Sequence, residues 1–248
     1  MKLAVLSDIH GNVWALRAVL ADAGRRSVDR FVNLGDNFYG PLKPRETFDL
    51  LQAIPAVSVQ GNQDRLLYQA VLSQIAANPT LAYVLRDLGP QPLESLFSLP
   101  KTDIISAQVF LCHGSPRSDS AYLLEDISLG YPVVKPESAI LPELSGLQLP
   151  VICCGHTHLP RLVVLSGGCL LLNPGSVGLP AYDDDAPNFH VMQNYSPHAS
   201  YALLEQVADG WQVDLIKVPY DFSPAVEQAL SLGRHDWAHW LATGRVAP

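Results

Sequence analysis

Residues 1–10 of the chain read MKLAVLSDIH, a short apolar run followed directly by two side chains that can bind metal. Residues 1–7 predict a β-strand, and Asp8 and His10 leave its carboxyl end on the same side, two residues apart. Taken alone, an Asp-x-His sequence is more typical of an ordinary strand-end turn than of a metal site. Its meaning depends on the residues at the ends of the other strands.

Composition sets outer limits on the function of this 248-residue chain. Apolar residues make up 48% of it, which predicts a large core in one domain spanning residues 1–248. Without a signal-type segment or an apolar run near the ~18 residues that cross a bilayer, we expect a cytoplasmic protein with no membrane partner. The net charge of −8 argues against general nucleic-acid binding. Reduced thiols are expected at Cys112, Cys153, Cys154 and Cys169, which lack Cys-x-x-Cys spacing.

Strands and helices alternate in the first third of the chain. A helix is predicted from Val13 to about Ala23, strands over 30–34 and 56–60, and a helix that Pro44 opens. This βαβαβ order predicts parallel neighbouring strands with helices packed on their faces. Further along, residues 64–98 are predicted to be mostly helical.

Short strands dominate the chain from about residue 101. They are predicted at 102–105, 109–112, 151–154, 162–165, 169–172, 201–207 and 211–218, with a late helix over 223–232. The pattern predicts an α/β fold with two mixed β-sheets and helices outside them. The proline-rich residues 115–150 stand out as a candidate insertion, or cap, over the strand ends.

Several predicted strands end in polar groups suited to metal binding. Gly35-Asp36, Gly61-Asn62, His113-Gly114 and Gly155-His156-Thr157-His158 each come directly after one of them. Because open α/β sheets form their sites at the carboxyl ends of strands, we expect these side chains to converge. The glycines permit the tight or left-handed backbone of such turns. With Asp8 and His10, these five strand-end signals indicate one shared site.

The residue types in this set are specific to a class of metal. Carboxylate, amide and imidazole ligands suit manganese, iron, zinc, cobalt or nickel and do not suit a calcium cage. Seven ligands exceed the needs of one ion, whereas two ions about 3.5–4 Å apart with a bridging carboxylate use them all. The candidate metal ligands are Asp8, His10, Asp36, Asn62, His113, His156 and His158.

Taken together, these motifs resemble those of calcineurin-like metallophosphoesterases. The match rests on Asp8-x-His10, Gly35-Asp36, Gly61-Asn62-x-Asp64, His113-Gly114 and Gly155-His156-x-His158, over residues 3 to about 180. The longer stretches Asp8-Ile9-His10-Gly11-Asn12 and Asn173-Pro174-Gly175-Ser176 are most similar to the small bacterial and archaeal phosphodiesterase branch. Some members of that branch are similar to diadenosine tetraphosphatases.

The resemblance implies a four-layer αββα sandwich with a dinuclear metal centre. One metal ion would take Asp8, His10, Asp36 and His158, and the other Asp36, Asn62, His113 and His156, with Asp36 bridging. Two such cations can activate a shared water as the nucleophile on a small phosphoester or nucleotide substrate. The predicted catalytic residues are Asp36, Asn62, Gln63 and Asp64, and the predicted substrate-binding residues are Asn12, Arg65, Arg117 and Arg161.

Gln63 departs from the superfamily pattern, because many members carry a histidine at this position. That histidine is thought to orient the substrate or to protonate the leaving group, and glutamine can donate a hydrogen bond but cannot deliver a proton. General acid help is typically worth 10²–10⁴-fold. We therefore expect phosphodiesters or nucleotide phosphoanhydrides rather than protein phosphomonoesters as substrates. Asp64 would lose its family role of steadying that histidine.

For the other polar residues that stand out, no role in catalysis or metal binding is expected. The run Asp183-Asp184-Asp185 is predicted to be a solvated loop, and His190 and His198, which could supply an acid, are predicted to lie at the surface. Two alternatives to the hydrolase remain: a scaffold that keeps the fold for protein binding, and a protein phosphatase. The complete ligand set argues against the scaffold. The sequence does not decide whether the protein forms a homo-oligomer. Manganese is the metal expected to support activity in an assay.

Overall fold

The computed structural model describes residues 1–144 and 146–247. Its first half contains β1 (Lys2–Leu6), α1 (Val13–Gly24), β2 (Arg30–Asn33), α2 (Pro44–Gln52), β3 (Ala56–Ser58), α3 (Asn62–Gln69), α4 (Leu72–Ala77), α5 (Pro79–Leu88), α6 (Pro90–Phe97), β4 (Thr102–Ile105) and β5 (Val109–Cys112). The second half contains β6 (Glu125–Asp126), β7 (Val133–Val134), α7 (Glu137–Ile140), a 3₁₀ turn (Leu141–Leu144), β8 (Val151–Cys153), β9 (Pro160–Val164), β10 (Leu170–Pro174), β11 (Ala181–Asp184), β12 (His190–Gln193), β13 (Ala199–Val207), β14 (Gly210–Val218), α8 (Ser223–Ser231) and α9 (His235–Thr243).

Two five-stranded mixed sheets form the centre of the fold. The first has the order β14-β13-β1-β2-β3, in which β1, β2 and β3 run parallel as the βαβαβ pattern predicts. The second has the order β4-β5-β8-β10-β9, in which β5, β8 and β10 run parallel. Helices flank the sheets, so the predicted α/β sandwich is confirmed.

The main core lies between the two sheets. Leu3 and Val5 of β1 and Val32 of β2 pack there against Leu111 of β5 and Leu172 of β10, all fully buried. Alternate residues of the same strands, such as Ala4 and Leu6, face outward and pack against α1. Burying a leucine side chain contributes about 1.5–3 kcal/mol. The two sheets therefore hold the parallel strand ends at one edge.

The outer face of the second sheet is covered by residues 115–150. Leu123, Leu124, Ile140 and Leu144 of this segment are buried against Phe110 and its neighbours. Their side chains cover a face of the sheet, and the start of the segment, near Tyr122, reaches the strand ends.

Two features differ from the sequence-based expectation. Asp183 and Asp184 lie on strand β11, which pairs with β12, so the prediction of a loop there is wrong. The last helix, α9, was not predicted. Its signal is short, because the buried Trp237, Trp240 and Leu241 recur at helical spacing over little more than one turn.

Candidate metal centre

The structure brings the predicted ligands together at the carboxyl ends of the parallel strands. Asp8, His10 and His158 form one group with ligand atoms within 4.8 Å of one another, and Asp36, His113 and His156 form a second. Asn62 joins the second group, where its Oδ1 lies 3.0 Å from His113 Nε2. The two groups could each hold one metal ion, and together they contain all seven predicted ligands: Asp8, His10, Asp36, Asn62, His113, His156 and His158.

Backbone carbonyls hold three of the imidazoles with Nε2 facing the site. His10 Nδ1 lies 2.8 Å from Tyr39 O, His113 Nδ1 2.8 Å from Leu34 O, and His158 Nδ1 2.7 Å from Leu179 O. A carbonyl oxygen only accepts, so each Nδ1 carries a hydrogen, and in the neutral ring Nε2 then presents its lone pair to the site. Metal-binding histidines in proteins are commonly fixed in this way.

Left-handed backbone conformations concentrate at the same residues. Five of the seven ligand positions have φ between +52° and +68°, namely Asp8, His10, Asp36, His156 and His158. A non-glycine residue in this conformation costs roughly 1–2 kcal/mol and is found where the surrounding structure enforces it. Despite this cost, the left-handed conformation turns each side chain from the strand end into the site.

The ligand loops brace one another through hydrogen bonds. Asp8 N–H donates to Gly35 O at 2.9 Å, His10 N–H to Asp36 O at 3.0 Å, and His156 N–H to Asp8 Oδ2 at 3.1 Å. These bonds connect segments that are up to 148 residues apart in sequence. The positions of the ligands are therefore mutually dependent.

Two of the motif glycines are needed for close approach rather than for a left-handed backbone. A Cβ on Gly61 would collide with the Asp36 carboxylate and backbone nitrogen, and a Cβ on Gly155 would collide with the Ser7 hydroxyl. Neither residue has a positive φ, so the left-handed alternative of the predicted tight or left-handed turn is wrong for both. Their role is steric, since the loops pass too closely for any side chain.

The two carboxylates of the site are ionised. Burial alone would raise the pKa of Asp8, but the adjacent His158, His113 and His10 hold it well below its usual range. Burial likewise opposes ionisation of Asp36, and His113 lowers the pKa of that carboxyl. The site therefore presents two anionic oxygen donors without protonation.

The imidazoles differ in the balance of burial and charge. Burial and the neighbouring His158 lower the pKa of His10 to about 4, and burial with His113 lowers that of His156 to about 4. Burial opposes protonation of His113 too, but Asp36 and Asp8 raise its pKa to about 10. The negative charges of Asp36 and Asp8 thus act on His113, and a cation would be stabilised there.

This donor set fits divalent metal ions. Asp8 Oδ1 is buried without a hydrogen-bond partner among the described residues, and it lies 3.3 Å from His158 Nε2 and 3.9 Å from His113 Nε2. A buried anionic oxygen without a partner is costly, and a cation removes that cost. Asp36 Oδ1 accepts from Gln63 N–H at 2.8 Å, and its Oδ2 lies among the ligands, 3.2 Å from His113 Nε2.

Asp64 supports the loop that carries Asp36. Its two carboxylate oxygens accept four hydrogen bonds, from Asp36 N–H, Asn37 N–H, Gly61 N–H and the Asn37 side-chain amide, at 2.8–3.1 Å. Burial and the charge of Asp36 raise the pKa of Asp64 to about 7, against the pull of those N–H donors. Even with Gln63 in place of histidine, Asp64 therefore has a structural role, which is to hold the Asp36 turn.

A cavity of about 180 Å³ opens in front of the ligands. Its floor includes His10, Asp36, Asn62, His156 and His158. The remaining wall is aromatic and charged, and consists of Tyr39, Gln63, Tyr122, Leu179, Tyr182, Asp183, Asp184, Arg234, Trp237 and Trp240. The wall thus draws on the segment after β5, on β11 and on the start of α9.

Two of the three predicted substrate-binding arginines pair with carboxylates instead of lining this cavity. Arg65 Nε lies 2.6 Å from Asp119 Oδ2, and Arg161 Nε lies 3.4 Å from Glu125 Oε1. Arg117 is exposed in the turn after β5, where its N–H donates to Ser115 Oγ. Substrate binding by these three residues stays a prediction.

Asn12 has its side chain fully engaged in the fold. It caps α1 by accepting from Ala15 N–H at 3.1 Å and donates to Gly178 O at 2.9 Å and to Tyr220 Oη at 3.0 Å. The residue is fully buried. Its predicted contact with substrate stays untested, and this geometry gives it a capping role.

Sequence reasoning missed several residues of the wall. Tyr122, Arg234 and Trp237 carry no motif and come from segments far apart in the chain. His190, predicted to lie at the surface, is 0% exposed and contacts Tyr122. A signal was present only for Tyr182, through its place in a short alternating strand.

Comparisons with known proteins point to one family. Residues 1–194 match the family model described as the calcineurin-like phosphoesterase superfamily domain. A metallophosphoesterase structure from Sphaerobacter thermophilus superposes with a TM-score of 0.76 at 28% identity, covering 99% of this chain and 100% of the other. The uncharacterized protein MJ0912 of Methanocaldococcus jannaschii is 25% identical over 95% of this chain and 94% of its own length. Among the helices of the described residues, none is long and apolar enough to cross a membrane.

Proposed function

Because this chain belongs to the calcineurin-like phosphoesterase superfamily, we propose that it hydrolyses phosphodiesters or nucleotide phosphoanhydrides with two divalent metal ions. The family and the two groups of side chains that can hold metal indicate a metal-dependent phosphoesterase. The single observation that carries the proposal is the completeness of the ligand set, in which five of the seven members are buried and none is missing.

The chain's own residues divide the work of holding metal and substrate. Asp8, His10 and His158 would hold one ion, Asn62, His113 and His156 the other, and Asp36 both. When bound, the two cations would activate a water at neutral pH and bind the oxygens of the phosphate group. Manganese, iron, zinc, cobalt and nickel all suit these nitrogen and oxygen donors.

The volume of the cavity suits a small reacting group. Its volume of about 180 Å³ is below the ≈ 300–1,000 Å³ of pockets that enclose a drug-sized ligand. The phosphate would enter it, and the remainder of a larger substrate would lie over the wall.

Gln63 supports the same substrate classes. Its side chain lines the cavity beside the ligands, where many superfamily members have histidine, and its Oε1 has no hydrogen-bond partner among the described residues. A glutamine there can hold a substrate oxygen through its amide but cannot protonate a leaving group. Leaving groups that depart as stable anions suffer least from this loss.

The test compares three substrate types with one protein. The purified full-length chain is assayed with manganese on bis-para-nitrophenyl phosphate, para-nitrophenyl phosphate and diadenosine tetraphosphate, beside Asp36→Asn. We expect hydrolysis of the diester or the dinucleotide, and its loss in Asp36→Asn. No activity on any of them, with the variant behaving identically, would refute the enzyme and favour the protein-binding scaffold. Preference for the monoester would refute the argument from Gln63.

A further inference from the structure

A second, larger cavity adjoins the one in front of the metal ligands. This outer cavity has a volume of about 660 Å³ and is bounded by α5 and by the turn before α9. Its volume is within the ≈ 300–1,000 Å³ of sites that enclose a small molecule, unlike the 180 Å³ in front of the ligands. The lining residues that matter for recognition are Pro41, Asn78, Pro79, Tyr83, Arg86 and Arg234.

Two features join the outer cavity to the metal centre. Arg234 lines both cavities. Tyr39, in the wall that faces the ligands, accepts a hydrogen bond at its hydroxyl from Asn78 Nδ2 of the outer cavity, at 2.9 Å. A substrate with one phosphate at the ligands can therefore extend past Arg234 into the outer cavity.

The guanidinium of Arg234 is fixed in place and still has hydrogens to donate. Its Nε and Nη2 donate to the Asp236 carboxylate at 2.9 and 2.6 Å, and its Nη1 donates to Thr80 Oγ1 at 2.6 Å. A guanidinium carries five N–H groups. The other two have no partner among the described residues, so they can bind a phosphate oxygen without a change in the side chain's position.

Arg234 is also close to the ligands themselves. Its guanidinium carbon lies 5.5 Å from the ring centroid of Trp237. Trp237 packs edge-on against His10, with ring centroids 5.9 Å apart. A single indole ring thus separates the guanidinium from a predicted metal ligand. A phosphate next to the reacting one would lie beside Arg234.

The distribution of charge favours this direction for an anionic substrate. Asp183 and Asp184 line the cavity in front of the ligands, whereas no carboxylate among the described residues lines the outer cavity. Arg86 adds a second cation there and forms no ion pair with a described residue. In a chain of net charge −8, the outer cavity is a place where cations outnumber carboxylates.

The shapes of the lining groups suit a planar ring. The guanidinium carbon of Arg86 lies 5.8 Å from the ring centroid of Tyr83. Pro41 and Pro79 add apolar ring surface to the same cavity. Aromatic rings and guanidinium planes are the groups on which proteins stack nucleobases. The outer cavity therefore combines surfaces for a base with cations for phosphates.

We propose that the outer cavity binds the nucleoside part of the substrate and that Arg234 is a specificity-determining residue, which binds the phosphate between that nucleoside and the metal centre. This inference rests on the proposed function and selects, among its substrates, the phosphoanhydrides that carry a nucleoside.

A third cavity, of about 410 Å³, also adjoins the metal centre and is the competing place for the nucleoside. Gln63 lines both, and the rest of the third cavity is formed largely by amides such as Gln69 and by Arg65. Arg65 already pairs with Asp119 at two points, so the third cavity offers less free positive charge.

Substrate dependence of KM gives the test. Arg234→Gln and Ala77→Trp are compared with wild type on diadenosine tetraphosphate and on methyl para-nitrophenyl phosphate, which has neither a second phosphate nor a nucleoside. Ala77 is exposed at the end of α4, and a tryptophan there would fill part of the outer cavity. We expect both variants to raise KM for the dinucleotide about 10-fold or more, as hydrogen bonds to phosphate or space for the base are lost. KM for the small diester should change less than about threefold.

Direct binding gives a second measurement that does not depend on turnover. Calorimetry of the manganese-loaded protein with α,β-methylene-ADP, which has no cleavable oxygen bridge between its phosphates, should show affinity reduced by a similar factor in both variants. Arg245→Gln is the matched control, because Arg245 is exposed in the same terminal segment and lines neither cavity. Gln69→Ala is the control for the third cavity. Both controls should bind as wild type does, and thermal melts should show all four variants folded.

Several outcomes would overturn this assignment. Equal changes of KM on the two substrates, or an unchanged KM for the dinucleotide in both Arg234→Gln and Ala77→Trp, would each do so. A larger effect of Gln69→Ala would place the nucleoside in the third cavity instead. Wild-type hydrolysis of the small diester without binding of α,β-methylene-ADP would also overturn it, while the proposed hydrolysis stands. Inactivity on both substrates is different, because it removes the proposed function and the nucleoside site with it.

Discussion

The loops that hold the metal ligands and the wall that faces them are built in opposite ways. Each ligand loop comes after a parallel strand, and backbone geometry fixes its side chains: left-handed turns at five positions, carbonyls behind three imidazoles, and glycines where loops cross. The wall consists largely of side chains from the segment after β5, from β11 and from around the start of α9, which meet through contacts between distant parts of the chain. The candidate metal ligands are thus fixed by local backbone geometry, and the groups that face them by tertiary contacts.

The largest effect is expected from the ligand side of this comparison. Asp8→Asn keeps the shape of the side chain and an acceptor for His156 N–H, but it removes the charge of the orphaned oxygen. We expect turnover to fall by more than about 10²-fold, because losing a supporting partner of a ligand alone costs 10–100-fold. Enzyme kinetics with metal content measured on the same preparation give the result. Full turnover with normal metal content would contradict the ligand assignment.

A second change breaks the close approach of two ligand loops. In Gly61→Ala the new Cβ meets Asp36, and overpacking of this kind costs about 1–3 kcal/mol of the free energy of unfolding. We expect weaker metal binding, measured by calorimetry, with a lower midpoint of thermal unfolding. Gly24→Ala is the matched control, since a Cβ there meets nothing and should stabilise by about 0.4–1 kcal/mol. Similar behaviour of the two variants would show that the loops can separate freely.

A third change tests the boundary between ligand loop and wall. Gln63→His introduces the residue that many superfamily members carry and places an acid beside the cavity. We expect the rate on phenyl esters to rise relative to nitrophenyl esters by about 10-fold or more, within the 10²–10⁴ range of general acid help. Metal binding should be unchanged. A fall in both rates would indicate that the glutamine amide itself holds the substrate.

The smallest effect is expected outside the cavity. Arg65 forms a two-point, partly buried ion pair with Asp119, so its guanidinium is already engaged. Arg65→Gln should therefore change KM less than about threefold. Arg234→Gln is the informative comparison, because Arg234 lines the cavity and is held there by Asp236 and by Thr80. A large rise in KM for Arg65→Gln would restore its predicted role in binding substrate.

Prediction from sequence was most reliable where a motif and a strand coincide. The order of strands and helices up to residue 112, the hairpin of β13 and β14, and the convergence of the ligands at one edge all follow from periodicity and strand-end residues. It was least reliable for Asp183, His190 and α9. Their placement depends on contacts with parts of the chain that no local pattern identifies.

The arginines show the same division. Arg65 and Arg161 lie close to motifs, and this closeness in sequence suggested a role at the site. In the fold their side chains turn toward Asp119 and Glu125, 54 and 36 residues away. Arg234, with no motif at all, reaches the cavity because α9 packs beside the ligand loops.

By itself, then, the sequence determined which side chains are candidate metal ligands and that they converge at the carboxyl ends of the strands. Strand-end turns are local, and the spacing of Asp8 from His10 or of His156 from His158 is set by a few backbone angles. Only the tertiary structure decided which groups face those ligands: the aromatic wall with Tyr122 and Tyr182, and Arg234. Such contacts depend on how distant segments pack, and the free energy of packing has no short-range signature in the chain.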